Sequence, residues 1–357
     1  MKKILALVMV LSILFLTGCK KDEPPVEEST TVTTTQTTTA KPEPKVYRNF
    51  LTGAERASEV TPRPVAVTVN NIGAALPQYG IAAADIIMEF PAEGGVSRLL
   101  ALYSDYSNMP NVCSIRSCRY YFPIFAQGFG AVYFCYGSNE TLGTPTLEKT
   151  GIDYIDGNKA GDSLVFERDS ERLQYYAIEH TAYLKGENMN EIFEKYEFSK
   201  TLPDSFGETV FDFAEKEYSH IDKCAEITAS FSSYYESRFT YDAEKGVYYK
   251  EHNGSAHIDG KTEEQLAFKN VIILETEPSL YKNTKLVAFD CTGGTGYYAT
   301  NGTVMKITWS KEAAASPVML YDENGTPIKI NSGKSYIGVA TSSVDIPVEE
   351  VTEAAAG

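Results

Sequence analysis

Apolar positions in the first half of the chain form continuous runs, several of which are rich in β-branched residues. Such runs predict strands that are buried on both faces. Polar residues with Pro77 and Gly80 separate the first run from the next, which predicts a loop over 71–80. Strands are predicted over 64–70, 96–103 and 131–136, with a further apolar run over 81–89. Helices are predicted over 119–129, 169–176 and 188–196.

The pattern changes near residue 204. From residue 225 onward the segments are short and aromatic, and apolar residues alternate with polar ones. Alternation of this kind predicts strands with one buried face, and Asn-Gly pairs between them predict hairpins. Turns are predicted at 242–246, 252–254, 293–296, 301–302 and 323–326. We therefore predict an α+β protein with a mixed α/β domain over 47–204 and a mostly β domain over 205–345.

The chain begins with two lysines, followed by an apolar run over 4–16 and the sequence Leu-Thr-Gly-Cys at 16–19. This arrangement predicts a secretory signal peptide over 1–18 that ends in a lipobox. The run is shorter than the roughly 20 residues that a transmembrane helix needs. Cys19 is therefore the predicted lipidation site, carrying diacylglycerol and palmitate, and the expected location is the outer face of the cytoplasmic membrane.

Residues 19–46 contain the lipidated cysteine and a stretch rich in Thr, Pro and Glu. Such a composition cannot bury enough apolar surface to fold, which predicts a disordered stalk. Residues 346–357 are acidic and then alanine-rich, and they predict a flexible tail.

The charge balance narrows the choice of partners. The 357-residue chain has 32 Lys and Arg against 48 Asp and Glu, a formal net charge of −16. An acidic surface disfavours nucleic acid as a partner, although it leaves room for a local basic site. The expected partners are the membrane, through the lipid anchor, and an envelope protein or a wall-derived ligand.

Five cysteines follow Cys19, and an odd number cannot pair completely within one chain. They are Cys113, Cys118, Cys135, Cys224 and Cys291. Their spacing offers no complete ligand set, so we predict small buried hydrophobic residues. No metal and no cofactor are predicted.

Arginines flanked by Ser and Gly are the main candidates for a ligand-binding site. A guanidinium donates hydrogen bonds in pairs, which suits carboxylate and phosphate groups. The predicted ligand-binding residues are Arg98, Arg116, Ser117, Arg119, Ser138, Arg168 and Arg172. The alternative is a structural network in which Arg116 and Arg119 pair with Asp85, Glu89 or Glu93.

Three further residues are candidates for catalysis. Glu89 and Glu93 are close in sequence, and two neighbouring carboxylates can act as acid and base when their pKa values separate. His180 could serve a serine or cysteine nucleophile, but the chain contains no GxSxG pattern. A GxxxxGK[ST] phosphate loop is also absent from the sequence.

Several of these motifs, in this order, resemble the family of YerB-like lipoproteins. The resemblance spans about 60–340 and rests on 63–67, 70–71, 77–78, 84–85, Glu89, 93–95, 97–98, 115–117, Arg119, 137–138, 168–169, Arg172, 257–259, Gln265, 270–272, 324–325 and 333–334. It implies an exported lipoprotein with a two-part domain of unknown function. The chain departs from the family at Cys113 and Cys118, where relatives commonly carry Gly and Ala, and beside His180, where Pro-His-Asn is expected.

These observations favour a non-enzymatic envelope lipoprotein whose arginine-lined cleft recognises an acidic partner or a wall-derived ligand. The alternative is a hydrolase or transferase of cell-wall glycan that uses Glu89 or Glu93 as acid or base. A third hypothesis treats the polar cluster as structural and the β domain as an assembly surface.

Overall fold

The computed structural model describes residues 46–340. The predicted signal peptide, Cys19, the stalk up to residue 45 and the tail over 346–357 lie outside the described residues. No helix in the described part of the chain is both long enough and apolar enough to cross a membrane.

Strands dominate the described part of the chain, and helices occur in its first half. The α-helices are α1 (Tyr121–Gly128), α2 (Gly143–Thr150), α3 (Gly157–Ala160) and α4 (Met189–Lys195). The first-half strands are β1 (Tyr47–Arg48), β2 (Glu55–Arg56), β3 (Val65–Asn70), β4 (Ile86–Pro91), β5 (Ser97–Tyr103), β6 (Val112–Cys113), β7 (Val132–Cys135), β8 (Tyr154–Asp156), β9 (Phe166–Arg168) and β10 (Ala182–Leu184). The second-half strands are β11 (Asp222–Lys223), β12 (Glu226–Ser232), β13 (Tyr235–Asp242), β14 (Val247–His252), β15 (Ser255–Ala256), β16 (Ala267–Phe268), β17 (Asn270–Glu275), β18 (Ser279–Leu280), β19 (Val287–Ala288), β20 (Gly293–Thr300), β21 (Thr303–Ser310), β22 (Met319–Tyr321) and β23 (Ser335–Ala340).

An 11-stranded mixed sheet is the centre of the fold. Its order is β11-β21-β20-β17-β23-β4-β5-β3-β7-β8, with β22 paired to β21. Strand β23 pairs in parallel with β4, from Ser335 opposite Ile86 to Gly338 opposite Glu89. Strands β3, β4, β5 and β23 are buried along their whole length, so one apolar core lies on each face of the sheet. Strands from both sides of residue 204 thus build one sheet, and the predicted domain boundary there stays a prediction.

Two smaller sheets flank the large one. Strands β12 to β15, with β16 on β14, form a five-stranded sheet, and β6-β10-β9 form a three-stranded sheet. In β12 and β14 buried residues alternate with more exposed ones. The buried face packs on the large sheet, where the Phe239 and Phe268 rings lie 4.3 Å and 5.8 Å from the Tyr336 ring. The one-sided alternation in the second half therefore has a direct structural cause.

The mixed α+β class is confirmed, as are the strands predicted over 64–70, 96–103 and 131–136. Helices α1 and α4 lie within the predicted segments 119–129 and 188–196. The hairpin predicted at 301–302 joins β20 to β21 through the pair Thr300 and Thr303.

Two local predictions were wrong. Residues 169–176 contain only a short 3₁₀ turn over Arg172–Gln174. Asp169 Oδ1 accepts the backbone N–H groups of Glu171 and Arg172 as a helix N-cap does, but the turn ends at Tyr175, whose φ of −128° is not helical. The glycines at 293–296 lie inside β20 rather than in a turn. A Cβ added to Gly294 would lie 2.7 Å from the Glu275 carbonyl oxygen, so the close approach of the strands requires glycine there.

Candidate functional site

An extended segment at 115–118 places the central arginines. It lies between β3 and the residues after β7, with bridges from Val69 to Ile115 and from Cys118 to Ser138. The Arg116 N–H donates to the Thr68 carbonyl at 3.0 Å, and the Arg116 carbonyl accepts from Tyr136 at 3.0 Å. The segment therefore behaves as an irregular strand, which holds Arg116 and the neighbouring Arg119 in position.

Arg98, on β5, lies beneath this segment and is only 7% exposed. Its Nη1 donates to the Ser117 carbonyl at 3.0 Å, while its buried Nε has no hydrogen-bond partner in the described part of the chain. Burial, together with the nearby charges of Arg119 and Arg116, lowers the pKa of Arg98 to about 10. Three like charges therefore lie close enough to perturb one another.

We call Arg98, Arg116, Arg119 and Arg168 the arginine cluster. Arg119 Nε and Nη2 both lie 2.7 Å from one oxygen of Glu93. This confirms the ion pair that the structural-network alternative allowed between Arg119 and Glu93.

Arg116 is held more loosely than Arg119, whereas the Arg168 guanidinium donates to the Ile178 carbonyl. Arg116 Nη2 lies 3.8 Å from Glu179 Oε1, a long contact between two partly exposed side chains. The Arg168 guanidinium lies 5.0 Å from the centre of the Tyr136 ring. Burial lowers the pKa of Arg116, and Glu179 only partly opposes this effect, while Arg119 and Arg168 add to it. Among the residues that the structure describes, the four cations thus share two carboxylates, and Glu93 Oε1 and Arg116 Nε are buried without a partner.

The two predicted serines lie beside the cluster, but their hydroxyl groups have internal partners. Ser117 Oγ donates to the Tyr136 carbonyl at 3.1 Å. Ser138 Oγ lies 2.6 Å from Thr144 Oγ1 at the start of α2. These bonds tie the arginine-bearing segment to β7 and α2.

Arg172 is not counted in the arginine cluster, because its guanidinium is fully engaged by backbone carbonyls. Its guanidinium donates to the backbone carbonyls of Ala75, Pro77 and His180 at 2.7, 2.7 and 3.0 Å. The charged end of this buried side chain therefore closes the loop at 75–77, and the structure gives it a positioning role.

His180 is buried between Arg172 and the cluster. Asn70 Nδ2 lies 3.0 Å from His180 Nδ1, and an amide nitrogen can only donate, so the histidine proton resides on Nε2. Burial and the neighbouring Arg116 lower the pKa of His180. The ring is thus neutral near pH 7, and its Nδ1 accepts the hydrogen bond from Asn70.

Glu89 belongs to a different arrangement, a closed ring of buried polar groups. Glu89 Oε2 lies 3.4 Å from Lys250 Nζ, which lies 3.0 Å from His257 Nδ1. His257 Nε2 lies 3.0 Å from Gln78 Oε1, and Gln78 Nε2 donates to Asn71 Oδ1 at 3.0 Å. Asn71 Nδ2 closes the ring on Glu89 Oε1 at 2.8 Å. We call these five residues the buried ring.

The buried ring joins the two halves of the chain. Glu89 also accepts hydrogen bonds from the hydroxyl groups of Ser97, Ser237 and Tyr336 at 2.5, 2.7 and 2.8 Å. Its carboxylate is fully buried, and although burial favours the neutral form, Lys250 and these hydroxyls keep its pKa below the usual value. Burial and the Lys250 charge hold the pKa of His257 well below its usual value. Glu89 is thus a charged structural group, whereas Glu93 pairs with Arg119 of the arginine cluster.

Lys250 is the residue that the sequence analysis missed. In β14 every second residue points inward, and those positions are Tyr248, Lys250 and His252. A lysine at an inward position of an alternating strand is a signal, because a buried charge requires a partner. The matching carboxylate lies far away in sequence, so the pair itself was not predictable.

The other titratable candidates show no metal geometry. Among residues 46–340 no group of three or more His, Cys, Asp or Glu side chains could hold a metal ion. Cys113, Cys118, Cys135 and Cys224 are buried, as predicted, and Cys291 is partly exposed. Burial raises the pKa of Cys113 to about 12, which keeps that thiol protonated.

Comparisons with known proteins identify the family of the chain. The N-terminal domain of the protein family of unknown function DUF3048 matches residues 51–199, and its C-terminal domain matches 227–337. The chain is 28% identical to the "Putative lipoprotein YerB" of Bacillus subtilis (strain 168) over 299 residues, which cover 81% of this chain and 85% of that protein. A crystal structure of the YerB protein from Bacillus subtilis has a TM-score of 0.72 at 23% identity, and the match covers 84% of this chain and all of that one. The resemblance to YerB-like proteins is confirmed, and the chain belongs to the two-part DUF3048 family.

Proposed function

We propose that this protein is a lipid-anchored envelope protein whose arginine cluster binds an anionic group, either on an acidic protein segment or on a wall-derived ligand. The observation that carries the proposal is the shortage of local negative charge. Arg98, Arg116, Arg119 and Arg168 lie together, and within residues 46–340 only Glu93 and Glu179 form ion pairs with them.

The unused hydrogen-bonding capacity of the site supports the same conclusion. Arg98 Nε and Arg116 Nε are buried donors without partners in the described structure. A buried donor that lacks a partner costs about 1–3 kcal/mol, and a carboxylate or phosphate oxygen that reaches it after a side-chain rearrangement would recover that free energy. The whole chain has a net charge of −16, which makes a cationic site a local exception.

The anchor at Cys19 rests on the lipobox and on the similarity to a protein described as a lipoprotein. Metabolic labelling with an alkyne-tagged palmitate should mark the wild-type chain, and Cys19→Ala should abolish both the label and the sedimentation with membranes. Ser29→Ala, in the predicted stalk, is the matched control and should retain both. Label on the Cys19→Ala chain would contradict the anchor.

Arg116→Ala tests the anion site with the least damage to the fold, because this side chain is partly exposed and its one ion pair is long. Binding of a muropeptide with free carboxylates, or of a glycerol-phosphate oligomer, should weaken about tenfold or more, as for the loss of one charge-assisted hydrogen bond. Titration calorimetry on the full-length chain in detergent gives the dissociation constants.

Arg238→Ala is the matched control, because Arg238 lies on the five-stranded sheet and pairs there with Glu251 and Glu226. It should bind both probes as the wild type does. Equal binding by the Arg116→Ala and wild-type chains would contradict the proposal. The two probes separate a carboxylate ligand from a phosphate ligand.

The glycan hydrolase or transferase alternative gains no support from the described residues. Glu89 is fully buried in the ring, and Glu93 is bound to Arg119. Neither carboxylate has the free, solvent-facing oxygen that a general acid needs at a substrate.

A further inference from the structure

A cleft lies between the two halves of the chain, and we propose that it binds a small ligand that carries a protonated aliphatic amine. The cleft has a volume of about 500 Å³, which falls within the range of small-molecule sites. The first half contributes Tyr79, Glu167 and Tyr183, and the second half contributes Asp259 and Lys261. The proposal does not rest on the anion site, because the groups that would hold the amine are Tyr79, Glu171 and Lys261, although Arg168 of the arginine cluster also lines the cleft.

Two tyrosine side chains on one side of the cleft are held in place by contacts within the protein. Tyr183 lies on β10, opposite Glu167 on β9 and Cys113 on β6. Tyr79 pairs with Cys113 through two backbone hydrogen bonds of 2.8 and 3.0 Å, and its hydroxyl donates to Asp169 Oδ2 at 2.8 Å. The two tyrosine rings lie 6.4 Å apart at an angle of 52°. They form a fixed, tilted aromatic surface that requires no ordering on binding.

The charge of the cleft has the opposite sign to that of the arginine cluster. Its carboxylates are Glu167, Asp169, Glu171 and Asp259, and its cations are Arg168 and Lys261. Asp259 is fully used, since it accepts from the backbone of Ala82 and Lys261. Glu171 is 82% exposed, so its carboxylate faces the solvent at the cleft and is available to a ligand.

The protein already places an ammonium group on this aromatic surface. Lys261 Nζ lies 5.2 Å from the centre of the Tyr79 ring and 4.0 Å from Glu171 Oε2. A cation within about 6 Å of an aromatic face is attracted to it. The Lys261 side chain is 59% exposed, so it can leave at little cost. A ligand amine would take the same position between Tyr79 and Glu171, and Lys261 would move into solvent.

Two pairs of probes isolate the amine. Glucosamine is compared with glucose, and cadaverine with 1,5-pentanediol, by ligand-observed NMR on the full-length chain in detergent. We expect at least one amine to bind, and its neutral counterpart to bind at least about tenfold more weakly. Binding of glucosamine alone identifies an amino sugar, and binding of cadaverine alone identifies an aliphatic diamine.

Two variants should shift the affinity in opposite directions. Glu171→Gln should weaken amine binding about threefold, because it removes the exposed carboxylate. Lys261→Met should strengthen it about threefold, because it removes the internal competitor. The proposal is overturned if neither amine binds, if the neutral probes bind equally well, or if Lys261→Met weakens binding.

The control is Glu148→Gln, an exposed carboxylate on α2, which should leave amine binding unchanged. Arg116→Ala should also leave it unchanged. A chain that loses anion binding but keeps amine binding would show two separate sites, so failure of either proposal can be recognised by itself.

Discussion

Replacing Glu89 by leucine should lower the free energy of unfolding by about 4 kcal/mol, within the range for breaking a buried ion pair. The substitution leaves the Lys250 ammonium without its carboxylate at a site where both side chains are fully buried. It also removes the acceptor of Asn71, Ser97, Ser237 and Tyr336. Denaturant unfolding can be followed by the fluorescence of Trp309, the single tryptophan, which is 3% exposed.

Lys250→Met and the double variant Glu89→Leu/Lys250→Met complete a thermodynamic cycle. The double variant should lose less stability than the sum of the single variants, since neither charge is then left alone. Lys306→Met, an exposed lysine on β21, is the control and should change stability by less than about 0.5 kcal/mol. A Glu89→Leu chain as stable as the wild type would contradict the structural role of the ring.

The sign of this result also separates a structural glutamate from a catalytic one. Catalytic acids are often held at a cost to stability, so their replacement tends to leave stability unchanged or to raise it. Glu89 has five described polar partners, drawn from both halves of the chain. Replacing Glu89 should therefore lower the free energy of unfolding, as expected for a structural glutamate.

The fold class followed from the pattern of the chain because each signal was local. Runs such as 64–70 are apolar throughout since β3 is covered on both faces, and β14 alternates since one face packs on the large sheet. Asn-Gly pairs such as 301–302 predict hairpins because both residue types adopt the left-handed backbone conformation at low cost. Both Asn301 and Gly302 have a positive φ. These features require no knowledge of distant contacts.

The union of the two halves could not be predicted in the same way. The parallel pairing of β23 with β4 joins residues about 250 positions apart. The sequence of neither strand specifies which other strand it pairs with. The same holds for Glu89 and Lys250. The predicted ligand residues were chosen by type, and only the tertiary structure shows that Arg116 is loosely paired whereas Arg172 is saturated with carbonyls.

Arg172→Met should lower the free energy of unfolding by about 3 kcal/mol, although sequence alone placed this residue among the ligand contacts. The substitution leaves the carbonyls of Ala75, Pro77 and His180 without their charged donor, and an unsatisfied buried group costs about 1–3 kcal/mol. Methionine fills similar apolar volume, so the loss reports the missing hydrogen bonds. Trp309 fluorescence in denaturant measures it.

Arg172→Lys distinguishes charge from geometry. A single ammonium cannot reach all three carbonyls as the planar fork does, so this variant should recover only part of the loss. If Arg172 instead contacted a ligand, both variants would unfold as the wild type does and would lose anion binding. If the variants lose stability but still bind the anion under conditions in which they are folded, Arg172 holds the 75–77 loop in place and does not contact the ligand.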